Sequence, residues 1–199
     1  MARLEQESGA VLQQAWRCSI VMFQGREILE KRADGAVAQQ ALAHEARMLE
    51  KLAGLHVPEL ISFSPDRAVL QRAYVAGQPL SELRREYWTR VLDQVEEALV
   101  RVHAYGFVHG DLRPDNIIVS ESAVSLIDWE HALHLGMVID QVPHRAVTPG
   151  LSHPRLIWGH GVVDTDLDVY PIDQMRRRAN EKDEYRASEK APEKITGPV

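Results

Sequence analysis

The sequence is poor in several features that mark particular classes of protein. Cys18 is the only cysteine, so the chain can form no internal disulfide and no cysteine-rich zinc site. No apolar run approaches the length of a membrane-spanning helix. Residues 1–7 are polar and acidic, unlike a signal peptide. We therefore expect a cytoplasmic protein without a membrane span.

An excess of positive charge is also missing. The chain has 23 lysines and arginines against 29 aspartates and glutamates, which gives a net charge of −6. Because proteins dedicated to nucleic acids are usually basic, we expect no nucleic-acid binding. The apolar fraction of 45% is typical of a globular protein, and 199 residues are enough for one domain or a small two-lobed one.

The most informative stretch is residues 109–119, HGDLRPDNIIV. It follows a segment of helical periodicity and leads into an apolar strand that ends on an acid, and Asp111, Asn116 and Asp128 project from the loop and the strand end. Two carboxylates and an amide that converge on one point suit Mg²⁺, which prefers oxygen ligands. An aspartate outside the metal shell can orient a hydroxyl and accept its proton. The pattern therefore predicts phosphoryl transfer from Mg-ATP.

The string H-G-D-L-x-x-x-N, followed by I-D-W, resembles the catalytic loop and metal-binding motif of the protein-kinase-like superfamily. The resemblance implies an α+β, two-lobed fold, in which a small antiparallel β-sheet lobe with one helix precedes a shortened, mainly helical lobe. We assign the first lobe to residues 1–80 and the second to residues 81–175. Residues 176–199 are charged and almost free of large apolar residues, which predicts a mobile tail or a frayed helix.

Several departures narrow the resemblance to compact, atypical kinases. Residues 7–11 stand where kinases carry a glycine-rich phosphate loop but contain one glycine, similar to the reduced loop of Bud32- and RIO-type kinases. Gly110 replaces the arginine that clamps a phosphorylated activation loop, which predicts activity without such phosphorylation. Trp129 and Glu130 replace the usual Phe-Gly, a variant also found in aminoglycoside- and choline-type small-molecule kinases.

Two residues of the first lobe are candidates for holding the ATP phosphates. Residues 11–32 are predicted to form two strands, and the resemblance places the phosphate-binding lysine at Lys31. Residues 37–53 are predicted to form a helix with Glu45 on its apolar stripe, where a carboxylate is costly unless it is paired. The resemblance pairs Glu45 with Lys31. Solvated side chains at a strand edge and a helix edge are the alternative interpretation of both.

The resemblance also implies the remaining site roles. Asp111 would approach the acceptor hydroxyl, while Asn116 and Asp128 would bind the metal ion and, through it, the nucleotide. The backbone at Ala73 and Val75 would hydrogen-bond adenine, as the hinge does in that family. An ordinary strand followed by a Gly-Pro turn is the alternative interpretation of the hinge.

Residues 147–155, VTPGLSHPR, resemble the end of a protein-kinase activation segment. Thr148 matches the threonine that contacts the catalytic aspartate in Ser/Thr kinases, and Arg155 replaces a glutamate that normally pairs with a later helix. Asp168 would then brace the catalytic loop through its backbone amides. Coincidental loop chemistry is the alternative interpretation.

We therefore predict a kinase that transfers the γ-phosphate of ATP, with Mg²⁺, to a hydroxyl group, most readily of a protein Ser or Thr. A kinase for a small hydroxylated molecule or a glycolipid sugar is the first alternative, and a nucleotide-binding pseudokinase that serves as an interaction module is the second. A partner could complete the shortened second lobe.

Overall fold

The first part of the chain is an antiparallel sheet crossed by one helix. The computed structural model describes residues 15–142 and 145–189, so the predicted phosphate loop at residues 7–11 lies outside the described residues. The elements are β1 (Ala15–Phe23), β2 (Arg26–Asp34), α1 (Ala36–Lys51), β3 (Leu60–Ser64) and β4 (Val69–Ala73). The strands form one sheet in the order β1-β2-β4-β3.

The turn between β1 and β2 is set by its two central residues. Gln24 and Gly25 both have positive φ values, 50° and 79°. Two-residue hairpin loops favour such conformations because they match the twist of the flanking strands, and glycine adopts them without strain. The turn fixes the register that pairs Cys18 with Lys31 on one face of the sheet.

The second part of the chain is mainly helical and has small sheets. Its elements are β5 (Gln78–Pro79), α2 (Trp88–Ala104), β6 (Phe107–Val108), β7 (Ile117–Val119), β8 (Val124–Leu126), β9 (Leu133–His134), α3 (Pro154–Trp158) and α4 (Asp166–Glu189). The connecting strand β5 pairs with β7. Gly77 allows this approach, because a Cβ there would lie 2.5 Å from the carbonyl oxygen of Val119.

One hydrophobic core runs through both parts. It joins the inner face of α1 to β4, to the predicted apolar stripe of α2 and to the strands β7 and β8; its fully buried members include Leu42, Leu70, Leu92, Val95 and Leu126. A second, smaller cluster includes Val108, Ile139 and Val163. The arrangement confirms the predicted α+β fold class.

Residues 176–189, where the sequence predicts a mobile tail or a frayed helix, continue helix α4. Helix α4 continues to Glu189, and Met175 and Ala179 are buried. Arg176 donates hydrogen bonds to Glu96 on α2 at 2.9 and 3.0 Å. The segment lacks large apolar residues, but a small side chain and an ion pair are enough to hold a helix against an existing neighbour. Within the described part of the chain, no helix is both long and apolar enough to cross a membrane.

Candidate active site

Lys31 lies among three carboxylates between the sheet and the second lobe. Its Nζ is 2.8 Å from Oε2 of Glu45, and the two side chains are 5% and 0% exposed. The same Nζ is 3.4 Å from Oδ1 of Asp128 and 3.3 Å from Oε2 of Glu130. Strand β2 supplies the lysine, α1 supplies Glu45, and the turn after β8 supplies the other two. The structure therefore brings together Lys31, Glu45 and Asp128, which the sequence analysis singled out in three separate segments.

Burial and neighbouring charges shift the pKa values of Lys31 and Glu45 in this cluster. Burial alone would lower the pKa of Lys31, but the carboxylates of Glu45, Glu130 and Asp128 outweigh it and raise the pKa, so the lysine is protonated. Burial raises the pKa of Glu45, whose Oε1 has no hydrogen-bond partner among the described residues. Three carboxylates face one ammonium group, and Arg72 is a further positive charge that acts on Asp128. Carboxylate oxygens of Glu45, Asp128 and Glu130 lie within 4.8 Å of one another, an arrangement that could hold a metal ion.

Asp128 points into this cluster because of its backbone conformation. Its φ of 63° and ψ of 67° are left-handed, a region that aspartate tolerates better than most side chains. Burial would raise the pKa of its carboxyl group, but the positive charges of Lys31 and Arg72 outweigh that effect and lower the pKa. Asp128 is therefore ionised at neutral pH and suited to a metal ion.

The catalytic loop places an acid and an amide side by side. Nδ2 of Asn116 donates hydrogen bonds to the backbone oxygen of Asp111 at 2.9 Å and to its carboxylate at 3.3 Å. Both bonds use the amide nitrogen, so the amide oxygen is left for a cation. The hydroxyl of Thr148 donates to Oδ1 of Asp111 at 3.0 Å.

The carboxylate of Asp168 binds the backbone at the start of the loop that contains Asp111. This carboxylate accepts hydrogen bonds from the backbone N–H groups of His109 at 2.9 Å and Gly110 at 3.1 Å, and Nε2 of His103 lies 3.0 Å away. This confirms the expected brace at the start of α4. Gly110 fits because a Cβ there would lie 2.3 Å from the backbone oxygen of His131, and its φ is 77°. An arginine at this position would clash with the turn after β8.

The predicted hinge has part of its backbone already engaged. The N–H of Ala73 donates to the carbonyl of Glu59 at 2.8 Å, and the carbonyl of Ala73 accepts a hydrogen bond from Nη1 of Arg72 at 3.3 Å. Val75 follows in the link to β5. Contact of adenine with Ala73 and Val75 stays a prediction, and any contact at Ala73 must use the second lone pair of its carbonyl oxygen.

Comparison with protein families decides the class of this site. The model of the "Phosphotransferase enzyme family" matches residues 10–140, which include the lysine, the helix glutamate, the catalytic loop and the aspartate after β8. The chain belongs to this phosphotransferase enzyme family. Membership confirms the predicted enzyme class and the predicted likeness to protein kinases.

Individual relatives of the chain include a tRNA-modification protein, a KEOPS complex subunit and a serine/threonine-protein kinase. It is 33% identical over 141 residues to a probable bifunctional tRNA threonylcarbamoyladenosine biosynthesis protein of Methanothermobacter thermautotrophicus, covering 62% of this chain and 25% of that protein. It is 28% identical over 102 residues to the KEOPS complex subunit Bud32 of Pyrococcus abyssi, covering 48% and 46%. It is 26% identical over 166 residues to the serine/threonine-protein kinase AfsK of Streptomyces coelicolor, covering 76% and 21%. The chain thus spans less than half the length of each.

Three charged side chains of the candidate site were not among the predicted site residues. Glu130 contacts Lys31, Arg72 lies buried behind the hinge, and Nε of Arg113 is 3.5 Å from Oδ2 of Asp111. The spacing of Arg113 from Asp111 could have indicated a loop cation. For Arg72 the sequence carries no such signal, because the neighbouring Gln71 is also polar and Arg72 looks like another polar residue of β4.

Proposed function

We propose that this phosphotransferase uses ATP and Mg²⁺ to phosphorylate a hydroxyl group. The observation that supports this most directly is the Lys31–Glu45 pair, 2.8 Å apart and buried, within reach of Asp128. A lysine held in this way can bind nucleotide phosphates without losing its own orientation. The catalytic effect would come from placement and electrostatics, as in phosphoryl transfer generally.

The residues present fit a magnesium ion. The amide oxygen of Asn116 and the ionised carboxylate of Asp128 are oxygen donors of the kind that Mg²⁺ prefers. The carboxylates of Glu45 and Glu130, which have oxygens within 4.8 Å of Asp128, are further oxygen donors on one side of this site. Bound by Asn116 and Asp128, Mg²⁺ would neutralise charge on the phosphates.

Asp111 is the residue proposed to act on the acceptor. Its carboxylate already accepts a hydrogen bond from a hydroxyl group, that of Thr148, at 3.0 Å. In the reaction the acceptor oxygen would attack the γ-phosphorus, the bond to the β-phosphate oxygen would break, and the hydroxyl proton would pass to Asp111. Lys31 would hold the phosphates in place during this transfer.

A serine or threonine of a protein is the acceptor that we favour. The contact between Thr148 and Asp111 supports it, as does the likeness to a relative described as a serine/threonine-protein kinase. Gly110 and Glu130 instead favour a small-molecule or glycolipid-sugar acceptor, the alternative function. The charge cluster is complete, which argues against a pseudokinase.

The proposed lobes are residues 1–80 and 81–175, and the proposed compartment is the cytoplasm. The likeness to a KEOPS complex subunit supports a protein partner that completes the second lobe.

Labelled ATP distinguishes the acceptors. The protein is incubated with γ-labelled ATP and Mg²⁺ in the presence of a protein mixture and, separately, of aminoglycosides, choline and lipopolysaccharide. Asp111→Asn serves as the inactive comparison, and Asp115→Asn, an exposed aspartate of the same loop, as the matched control. Label transferred to protein by the wild type and Asp115→Asn supports the proposal. Label on small acceptors alone supports the alternative, and nucleotide binding without any transfer contradicts both.

A further inference from the structure

Arg72 is a buried arginine that forms no ion pair with the residues that the structure describes. It is 4% exposed, and no carboxylate of the described residues lies within 4.0 Å of its guanidinium group. Its Nε is buried without a hydrogen-bond partner in the part of the chain that the structure describes, and the one bond of its side chain there runs from Nη1 to the carbonyl of Ala73 at 3.3 Å. A charge in this condition is costly. The arrangement therefore indicates that a bound group completes its hydrogen bonds.

The side chain faces the same cleft as Lys31. In the sheet register Arg72 lies opposite Leu29, and Leu70 lies opposite Lys31. Directly opposed residues project from the same face of a sheet, and residues two apart on a strand share that face. The Lys31 Nζ on this face reaches Asp128 and Glu130, and the charge of Arg72 acts on Asp128.

Arg72 lies toward the base end of the proposed nucleotide site. Lys31 and Asp128 mark the end proposed for the phosphates, and the hinge at Ala73 and Val75 marks the end proposed for the base. Nη1 of Arg72 is hydrogen-bonded to the carbonyl of Ala73 itself. The edge of a base that enters here would therefore meet N–H donors beside a carbonyl oxygen that has one lone pair left.

Donors at this point discriminate between purines. The exocyclic amino group of adenine is itself a donor, so it can meet only the remaining lone pair of the Ala73 carbonyl and not the Arg72 side chain. Guanine presents the carbonyl oxygen O6 in the corresponding place, and arginine is the side chain that most often reads guanine. We propose that Arg72 is a specificity-determining residue that lets the site accept guanine nucleotides, so that GTP is bound at least as tightly as ATP. The inference rests on the proposed function, because it requires a nucleotide in this cleft.

Binding measurements on the full chain test the inference without any assay of turnover. Calorimetry gives the dissociation constants of Mg-GTP and Mg-ATP for the wild type, Arg72→Met and Arg72→Lys. Methionine keeps an unbranched side chain but removes every donor, and lysine keeps one. Arg32→Met is the matched control, because Arg32 is exposed on the other face of β2.

We expect the wild type to bind GTP no more weakly than ATP. In Arg72→Met the ratio of the GTP to the ATP dissociation constant should rise about tenfold or more, the lower part of the range measured for reading a base with arginine. The ratio for Arg72→Lys should lie between those of the wild type and Arg72→Met. The ratio for Arg32→Met should match that of the wild type. If Arg72→Met fails to fold, a rise in the ratio of the GTP to the ATP dissociation constant in Arg72→Lys supports the inference, and an unchanged ratio contradicts it.

Two other results have distinct meanings. A wild type that prefers ATP, with a ratio that Arg72→Met or Arg72→Lys leaves unchanged, overturns the role of Arg72 but leaves the proposed function standing. Absence of binding of either nucleotide to the wild type with Mg²⁺ overturns the proposed function and the inference together.

Discussion

The hydroxyl of Thr148 donates a hydrogen bond to Oδ1 of Asp111 across 3.0 Å. The backbone N–H of Thr148 is in turn bound by Oγ of Ser152 at 2.7 Å, so the hydroxyl is held in place. A segment far along the chain thus presents a hydroxyl group to the carboxylate that we propose as the acceptor-orienting group. This relationship shows that Asp111 is accessible to a hydroxyl and correctly turned to bind it.

Removal of the Thr148 hydroxyl should weaken catalysis on a protein acceptor. In Thr148→Val one oxygen of Asp111 loses a neutral donor, a bond of about 1 kcal/mol, so we expect kcat/KM to fall about five- to tenfold. Thr148→Ser keeps the hydroxyl and should stay near the wild type. Steady-state kinetics with a protein substrate measure the effect. Equal kcat/KM for Thr148→Val and the wild type would show that this contact is incidental.

Breaking the buried pair of Lys31 and Glu45 should destabilise the fold as well as impair binding. Lys31→Met leaves a buried carboxylate uncompensated, which we expect to lower the free energy of unfolding by about 3 kcal/mol. The double variant Lys31→Met/Glu45→Leu should regain most of this stability but none of the nucleotide affinity. Urea unfolding and nucleotide titration measure the two quantities. A double variant as unstable as Lys31→Met would mean that the pair is not the source of the loss.

Loss of the Asp168 carboxylate should loosen the catalytic loop. Asp168→Ala leaves the N–H groups of His109 and Gly110 without their acceptor inside the protein, and we expect a cost of about 2–3 kcal/mol in the free energy of unfolding together with a lower kcat. Asp173→Ala, which changes an exposed aspartate of the same helix, is the control. A normal kcat in Asp168→Ala would show that the hydrogen bonds of Asp168 to the loop do not contribute to catalysis.

The burial of α4 can be tested with one substitution placed at two neighbouring positions. Ala179 is 3% exposed and Asn180 is exposed. Ala179→Asp puts a charge into the contact with α2 and should lower the free energy of unfolding by about 3 kcal/mol, whereas Asn180→Asp should change it by less than about 0.5 kcal/mol. Urea unfolding of both variants is the measurement. Equal midpoints would support the tail that the composition suggested.

The sequence predicted those parts of the site that depend on local residue order. Asp111 and Asn116 lie five residues apart in one loop, so their types and spacing already contain the relationship. The meeting of Lys31 with Glu45 was also foreseen, because a carboxylate on an apolar helix stripe needs a cation and the resemblance named one.

The sequence did not predict features that depend on neighbours distant along the chain. Glu130 contacts Lys31 and lies two residues after Asp128, which has a left-handed backbone conformation. No residue pattern specifies that conformation. Ala179 is buried in the main core because helix α4 packs against α2, and composition alone cannot reveal a small side chain that distant neighbours bury. Arg72 looked like an ordinary polar residue of a strand until the sheet register placed it beside Leu29.

Metal-dependent nucleotide binding tests the central claim, that residues from both lobes form one site for a magnesium-bound triphosphate. Calorimetric titration with ATP, with and without Mg²⁺, should show tight binding to the wild type in the presence of Mg²⁺. Asp128→Asn should lose about 100-fold in affinity with Mg²⁺, because several kcal/mol of charge neutralisation depend on that carboxylate. Asp140→Asn, an exposed control, should match the wild type. Equal affinity and equal Mg²⁺ dependence in Asp128→Asn and the wild type would contradict the account.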